Sequence, residues 1–252
     1  MKRILTAENM EVLAQFAWAR GLIALDYDGT LAPLAQDRGL MAMRPRTRML
    51  LERLTRLYPC AIIANRPRDE VIARLDGLAL KHIVGNHGAE LATAREMFAR
   101  EVAEVFPKLK TALRDEQGLD LENKHHSIAI HYHRSRRKTE ARAAILAAVA
   151  ACASSLRVIP GKLVTNLMPA DAPNKGDALV ALRELERADT ALYVGDDVTD
   201  EDVFQLDQPG RLLCIRVGQS RTSAANWYLR DQREIDLLLE TLVDMRAKGQ
   251  ST

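Results

Sequence analysis

The chain has 252 residues and carries 36 Lys+Arg against 34 Asp+Glu, a formal net charge of +2. With 47% apolar and 28% charged residues it has the make-up of a folded protein, which excludes a disordered chain and the one-sided basic field of a nucleic-acid binder. Its longest apolar run, residues 143–153, falls short of the ~20 residues a membrane span needs, so no membrane partner is expected.

The first apolar segment, 22–25, reads as a strand. Residues 47–57 carry Met49, Leu50, Leu54 and Leu57 at helical spacing. A second buried strand at 61–64, a helix at 68–75 and a third strand at 82–84 follow. The middle of the chain differs. Residues 127–133 alternate Ile128, Ile130 and Tyr132 with smaller or polar residues, the pattern of a half-buried strand. A helix at 138–154 buries the alanine-rich run. Strands at 157–159 and 162–168 flank a turn expected at Pro160–Gly161. The chain returns to alternation with a helix at 175–188 and strands at 191–194 and 212–217. Residues 246–252 read as a frayed tail, and Met41, Met43 and Met49 as core or gap-filling side chains.

Strand–helix alternation predicts an α/β fold: a parallel sheet covered by helices on both faces. The antiparallel pattern in the middle predicts an inserted α+β module. The expected domains are 1–90 with 171–252 as the core and 91–170 as the insertion. Polar residues occupy 6–11, where a signal peptide needs an apolar segment. Cys60, Cys152 and Cys214 are widely spaced and form no disulfide framework. A cytoplasmic protein is expected, and a monomer.

Chemistry concentrates at the ends of the parallel strands, where open α/β sheets bind ligands. Asp26-Tyr27-Asp28-Gly29-Thr30-Leu31 follows the first strand directly. Carboxylates at i and i+2 on extended chain point to one side, where their repulsion calls for a cation or a shared proton. A hard ion such as Mg²⁺ suits an all-oxygen site. Gly195-Asp196-Asp197 follows the strand at 191–194 and is just as acidic, so Asp26, Asp28 (through its carbonyl) and Asp196 are the expected metal residues. Asp197 and Asp200 are candidate inner or outer ligands. Glu201 and Asp202 fit an acidic helix N-terminus favoured by the helix dipole. Lys175, just before an apolar helix face, can neutralise a phosphoryl group.

The string D-x-D-G-T-L resembles the first motif of the haloacid-dehalogenase-like phosphohydrolases. The resemblance implies that Asp26 attacks phosphorus to form an aspartyl-phosphate and that Asp28 is the general acid and base, with Lys175 as the third motif. The second motif departs from the pattern. Ile62-Ile63-Ala64-Asn65-Arg66-Pro67 places Ala64 where relatives have Ser or Thr, removing a side-chain donor to the phosphoryl oxygens, and Asn65 is a candidate replacement.

Further segments narrow the resemblance to trehalose-6-phosphate phosphatases: Gly85-Asn86-His87-Gly88-Ala89-Glu90, Glu122-x-Lys124, Ser127 through His131-Tyr132, Pro160-Gly161-Lys162-x-Val164, and Gly195-Asp196-Asp197-x-Thr199-Asp200-Glu201-Asp202-x-Phe204. That family implies a Rossmann-like core, a mobile α+β cap that closes over the sugar, Mg²⁺, and a phosphosugar substrate. It also implies substrate contacts by Arg66, His87, Glu90 and Lys124, and Asn65, His131 and Asn166 are further substrate-binding candidates. Asn166 stands where many relatives have Glu, and His133 displaces the basic Arg134 by one residue. On a continuing strand that shift would reverse its face. The competing expectations are a phosphatase of another sugar phosphate and a non-catalytic sugar-phosphate sensor.

Overall fold

The computed structural model describes residues 1–34, 42–75, 77–91, 95–206 and 208–249. These form two compact units, Met1–His87 with Asn174–Thr252, and Gly88–Pro173.

The first unit is built on β1 (Lys2–Arg3), β2 (Gly21–Leu25), β3 (Cys60–Ile63), β4 (His82–Val84), β9 (Thr190–Gly195), β10 (Leu212–Val217) and β11 (Trp227–Leu229). They make one parallel sheet in the order β1-β11-β10-β9-β2-β3-β4. Successive residues of β2 and β9 go to opposite faces. Ile23, Leu25, Leu192 and Val194 join a core with α1 (Met10–Trp18), α2 (Pro45–Thr55) and α8 (Glu234–Gly249), while Leu22, Ala24, Ala191 and Tyr193 are buried on the other face. Burial on both faces is why these strands read as unbroken apolar runs. The remaining helices are α3 (Arg68–Arg74), α6 (Lys175–Leu185) and the short α7 (Glu201–Phe204).

The second unit pairs β5 (Asp120–Asn123), β6 (Ile128–His131), β8 (Val164–Pro169) and β7 (Leu156–Gly161) into an antiparallel sheet in that order. Ile128, Ile130 and Leu167 pack with Val102, Val105 and Leu109 of α4 (Arg95–Ala112) and Ile145 and Val149 of α5 (Lys138–Cys152). Alternation therefore sends Glu122, His131 and Asn166 to the opposite sheet face.

Several expectations change. The hairpin reverses at Lys162–Leu163, with Leu163 at φ 58°, and not at Pro160–Gly161, which lie within β7. β7 is an edge strand, where a proline's missing N–H costs no ladder bond. The tail is helical through Gly249, because Arg246 donates to the carbonyls of Ala17, Trp18 and Ala19; residues 250–252 lie outside the described ones. The buried face of α2 is Thr47, Leu50, Leu51 and Leu54, which turns Met49 outward to 52% exposure. Met43 packs partly buried against the core, and Met41 lies outside the described residues. β6 ends at His131, with Tyr132 in the core of the second unit and Arg134 exposed, so strand alternation does not govern residues 133–134. The sequence reading left α1, α4, α8 and the short strands β1, β5 and β11 unassigned. Among the described residues no helix is long and apolar enough to cross a membrane.

Candidate active site

Register assembles the site. Leu25 pairs with Val194 and with Ile62, so Asp26, Asp196 and Ala64 all emerge at the carboxyl edge of the sheet. The Asp26 N–H donates to the Val194 carbonyl at 2.9 Å, locking the two strand ends together. Two glycines make the approach feasible. Gly29 has φ +84°, and a Cβ there would overlap the Asp196 carboxylate; a Cβ on Gly195 would overlap Asp200.

Lys175 opens α6, which begins with a reciprocal capping box between Asn174 and Asp177. Its ammonium is fully buried and donates to Asp26 Oδ1 and Asp200 Oδ1, both at 2.8 Å. Burial disfavours that charge, but Asp200 and Asp26 outweigh it and raise the Lys175 pKa. Asp200 also accepts from the buried Tyr193 hydroxyl at 2.6 Å and from the Asp197 N–H at 2.8 Å. Thr30 Oγ1 donates to Asp196 Oδ1 at 3.4 Å.

Asp26, Asp196 and Asp200 each offer an oxygen, all within 4.8 Å of one another. The set carries excess negative charge. Burial raises the Asp26 carboxyl well above the usual carboxylate range; Lys175 opposes this, while Asp200 and Asp196 add to it. Burial, then Asp200 and Asp197, push Asp196 up to about 8. Asp26 Oδ2 is buried with no hydrogen-bond partner. An orphaned carboxylate oxygen in a crowded acidic cluster is what a hard divalent cation would satisfy, so these residues fit a metal.

The carboxylate of Asp28 lies apart from that cluster. Arg66 grips it with Nε to Oδ2 at 2.7 Å and Nη2 to Oδ1 at 2.9 Å, and also reaches Glu70 at 3.2 Å. The guanidinium expected on the phosphosugar is thus engaged with the expected general acid. Asn65 spans to the loop after β9: Thr199 Oγ1 donates to its Oδ1 at 3.1 Å, and its Nδ2 reaches Asp197 Oδ2 at 3.5 Å. Ala64 is fully buried, its N–H bonded to the Val84 carbonyl and its carbonyl to the His87 N–H. Asn86 and His87 both take left-handed backbone, φ 48° and 58°, a strained pair held by N–H bonds to Arg66 and Ala64 carbonyls at 2.8 and 2.9 Å.

In the second unit, His131 Nε2 meets Glu122 Oε2 at 3.0 Å, and Asn166 lies beside Ala129 on the same sheet face. Glu90 pairs with His126 at 3.4 Å, and Lys124 is buried at 3% exposure. The candidates therefore form two sets: Asp26, Asp28, Asn65, Arg66, His87, Lys175, Asp196, Asp197 and Asp200 in the first unit, and Glu90, Lys124, His131 and Asn166 in the second. The sequence reading missed Tyr193 and Arg216, whose roles depend on strand pairing, and Thr30, which the D-x-D-G-T string could have signalled.

A protein-family model described as trehalose-phosphatase matches residues 24–232. A probable trehalose-phosphate phosphatase 4 of Oryza sativa subsp. japonica is 27% identical over 261 residues, covering 96% of this chain and 71% of the relative. A trehalose-phosphate phosphatase of Mycobacterium bovis is 30% identical over 219 residues, covering 79% and 56%. The solved C-terminal domain of C. albicans trehalose-6-phosphate phosphatase shares the fold with a TM-score of 0.79 at 20% identity, covering 94% of this chain and 97% of that one.

Proposed function

The chain belongs to the trehalose-phosphatase family, and from that premise we propose that it hydrolyses trehalose 6-phosphate to trehalose and phosphate through an aspartyl-phosphate on Asp26, with Mg²⁺ as cofactor. The observation that carries the reading is the state of Asp26: one oxygen is held by Lys175 and the other is buried with no hydrogen-bond partner. Asp26, Asp196 and Asp200 would hold the ion, which supplies positive charge for the phosphoryl oxygens when bound.

The first displacement forms a bond from Asp26 to phosphorus and breaks the bond from phosphorus to the sugar oxygen. Asp28, protonated from solvent on an oxygen that Arg66 releases, delivers that proton to the departing sugar oxygen, then as a carboxylate takes one from the water that cleaves the aspartyl-phosphate. Arg66 orients the Asp28 carboxylate through its two bonds. Lys175 balances Asp26 before attack and the phosphoryl group after it. His87 in the first unit and, considered by itself, the second unit's Glu90, Lys124, His131 and Asn166 carry groups suited to sugar hydroxyls, and each set is a candidate for sugar recognition. A reducing, cytoplasmic setting belongs to the same reading, supported by three free thiols, of which burial pushes Cys60 and Cys214 up to about 12.

Phosphate release from trehalose 6-phosphate, glucose 6-phosphate and other sugar phosphates tests this. Asp26→Asn should lower turnover by at least about 10³-fold. Unchanged release in that variant would remove Asp26 as nucleophile, and equal kcat/KM on glucose 6-phosphate would remove the disaccharide specificity.

A further inference from the structure

The loop after β9 is held in part by a residue outside every motif. Arg216 is the register partner of Gly195, the last residue of β9. Its guanidinium folds over the strand end, where Nη2 donates to the Asp196 carbonyl and Nη1 donates to the Asp197 carbonyl at 3.3 Å. The same Nη1 reaches Glu201 Oε1 at 3.1 Å, and Glu201 Oε2 accepts the Ala224 N–H at 2.8 Å. Glu201 is therefore more than a helix-dipole carboxylate, because it anchors Arg216 and ties in the segment that follows β10.

The peptide joining Asp196 to Asp197 is held at both ends. Its carbonyl bonds to Arg216, and its N–H bonds to Asp200 Oδ2 at 2.8 Å. With that plane fixed, so is the direction in which the Asp196 carboxylate leaves the chain, toward Asp26 and Asp200. Consecutive carbonyls on an extended chain point to opposite sides, whereas those of Asp196 and Asp197 both turn to the one guanidinium.

We infer that Arg216 is a positioning residue that sets the divalent-cation affinity of the Asp26–Asp196–Asp200 cluster by clamping the 196–197 backbone. The inference rests on the metal-dependent reading of that cluster.

Calorimetric titration of the full chain with Mg²⁺ in the absence of substrate tests it, using the parent, Arg216→Met, Arg216→Lys and Glu201→Gln. Arg216→Met should weaken Mg²⁺ binding by about 10–100-fold, the range for loss of a group that orients metal ligands. Arg216→Lys, able to reach one carbonyl, should recover part of the loss, and Glu201→Gln should weaken binding less than Arg216→Met. Saturating Mg²⁺ should restore turnover with KM for trehalose 6-phosphate unchanged. Equal Mg²⁺ affinity in the parent and a folded Arg216→Met protein overturns the inference. If Arg216→Met does not fold, parent-like affinity in both Arg216→Lys and Glu201→Gln overturns it. A parent that binds no divalent cation overturns the metal reading itself.

Discussion

In the parallel-sheet unit the ionised groups sit deep and share partners: Asp26, Lys175 and Asp200 have side chains at 0–1% exposure, and one ammonium serves two carboxylates. In the inserted unit the Glu122–His131 pair is shallower, with side chains 34% and 13% exposed. The first arrangement fixes charge before substrate arrives, and such preorganisation is what lowers the barrier of a charge-transferring step. In the second, partial exposure screens the pair, so each charge depends less on its partner. The two units thus hold these charged pairs by different means, deep shared contacts in one and a partly exposed single contact in the other.

The contrast breaks most sharply at Lys175. Lys175→Met should destabilise the protein by about 3–5 kcal/mol, because it strands two buried carboxylates, whereas Glu122→Gln should cost no more than about 1 kcal/mol. Urea unfolding of the two variants measures the difference, and equal losses would erase the distinction between the units. Lys124→Ala asks whether the inserted unit recognises sugar. It should reduce kcat/KM for trehalose 6-phosphate by about 10-fold or more while sparing p-nitrophenyl phosphate, which has no sugar to address. Parallel losses on both esters would assign Lys124 to structure.

Ala64→Ser sharpens the chemical side. The site lacks the usual hydroxyl, and adding one should raise kcat by about 10-fold, less than the full value of an oxyanion donor. No gain in steady-state turnover would mean that the phosphoryl oxygens are already satisfied.

A further effect is one of pH. Burial, with Asp200 and Asp197 nearby, holds the Asp196 carboxyl up to about 8 in the folded chain, against 3.8 for a solvated aspartate. Between those values the folded state binds more protons than the unfolded one, so this carboxyl's contribution to stability is complete below about 4 and is lost as pH rises toward 8. The melting temperature of metal-free protein should fall across that window, and Mg²⁺ should restore most of it at pH 8. Asp196→Asn should flatten the curve, and a melting temperature insensitive to both pH and Mg²⁺ would contradict the crowded-carboxylate picture.

Sequence by itself determined where the chemistry lies. Apolar runs buried on both faces identify the central parallel strands, and Asp26 follows one run directly, Ala64 ends another and Asp196 stands one glycine beyond a third, so their gathering at one sheet edge was legible from local pattern. Tertiary structure alone decided who pairs with whom. That Arg66 holds Asp28, that Asn65 reaches Thr199, and that Arg216 clamps the 196–197 peptides all depend on which strands become neighbours and in what register. Local pattern also failed at Pro160–Gly161, because the edge position that lets a proline remain in a strand is a property of the assembled sheet. Hydrophobic periodicity is written within one element, whereas an ion pair or a backbone clamp joins elements tens to hundreds of residues apart.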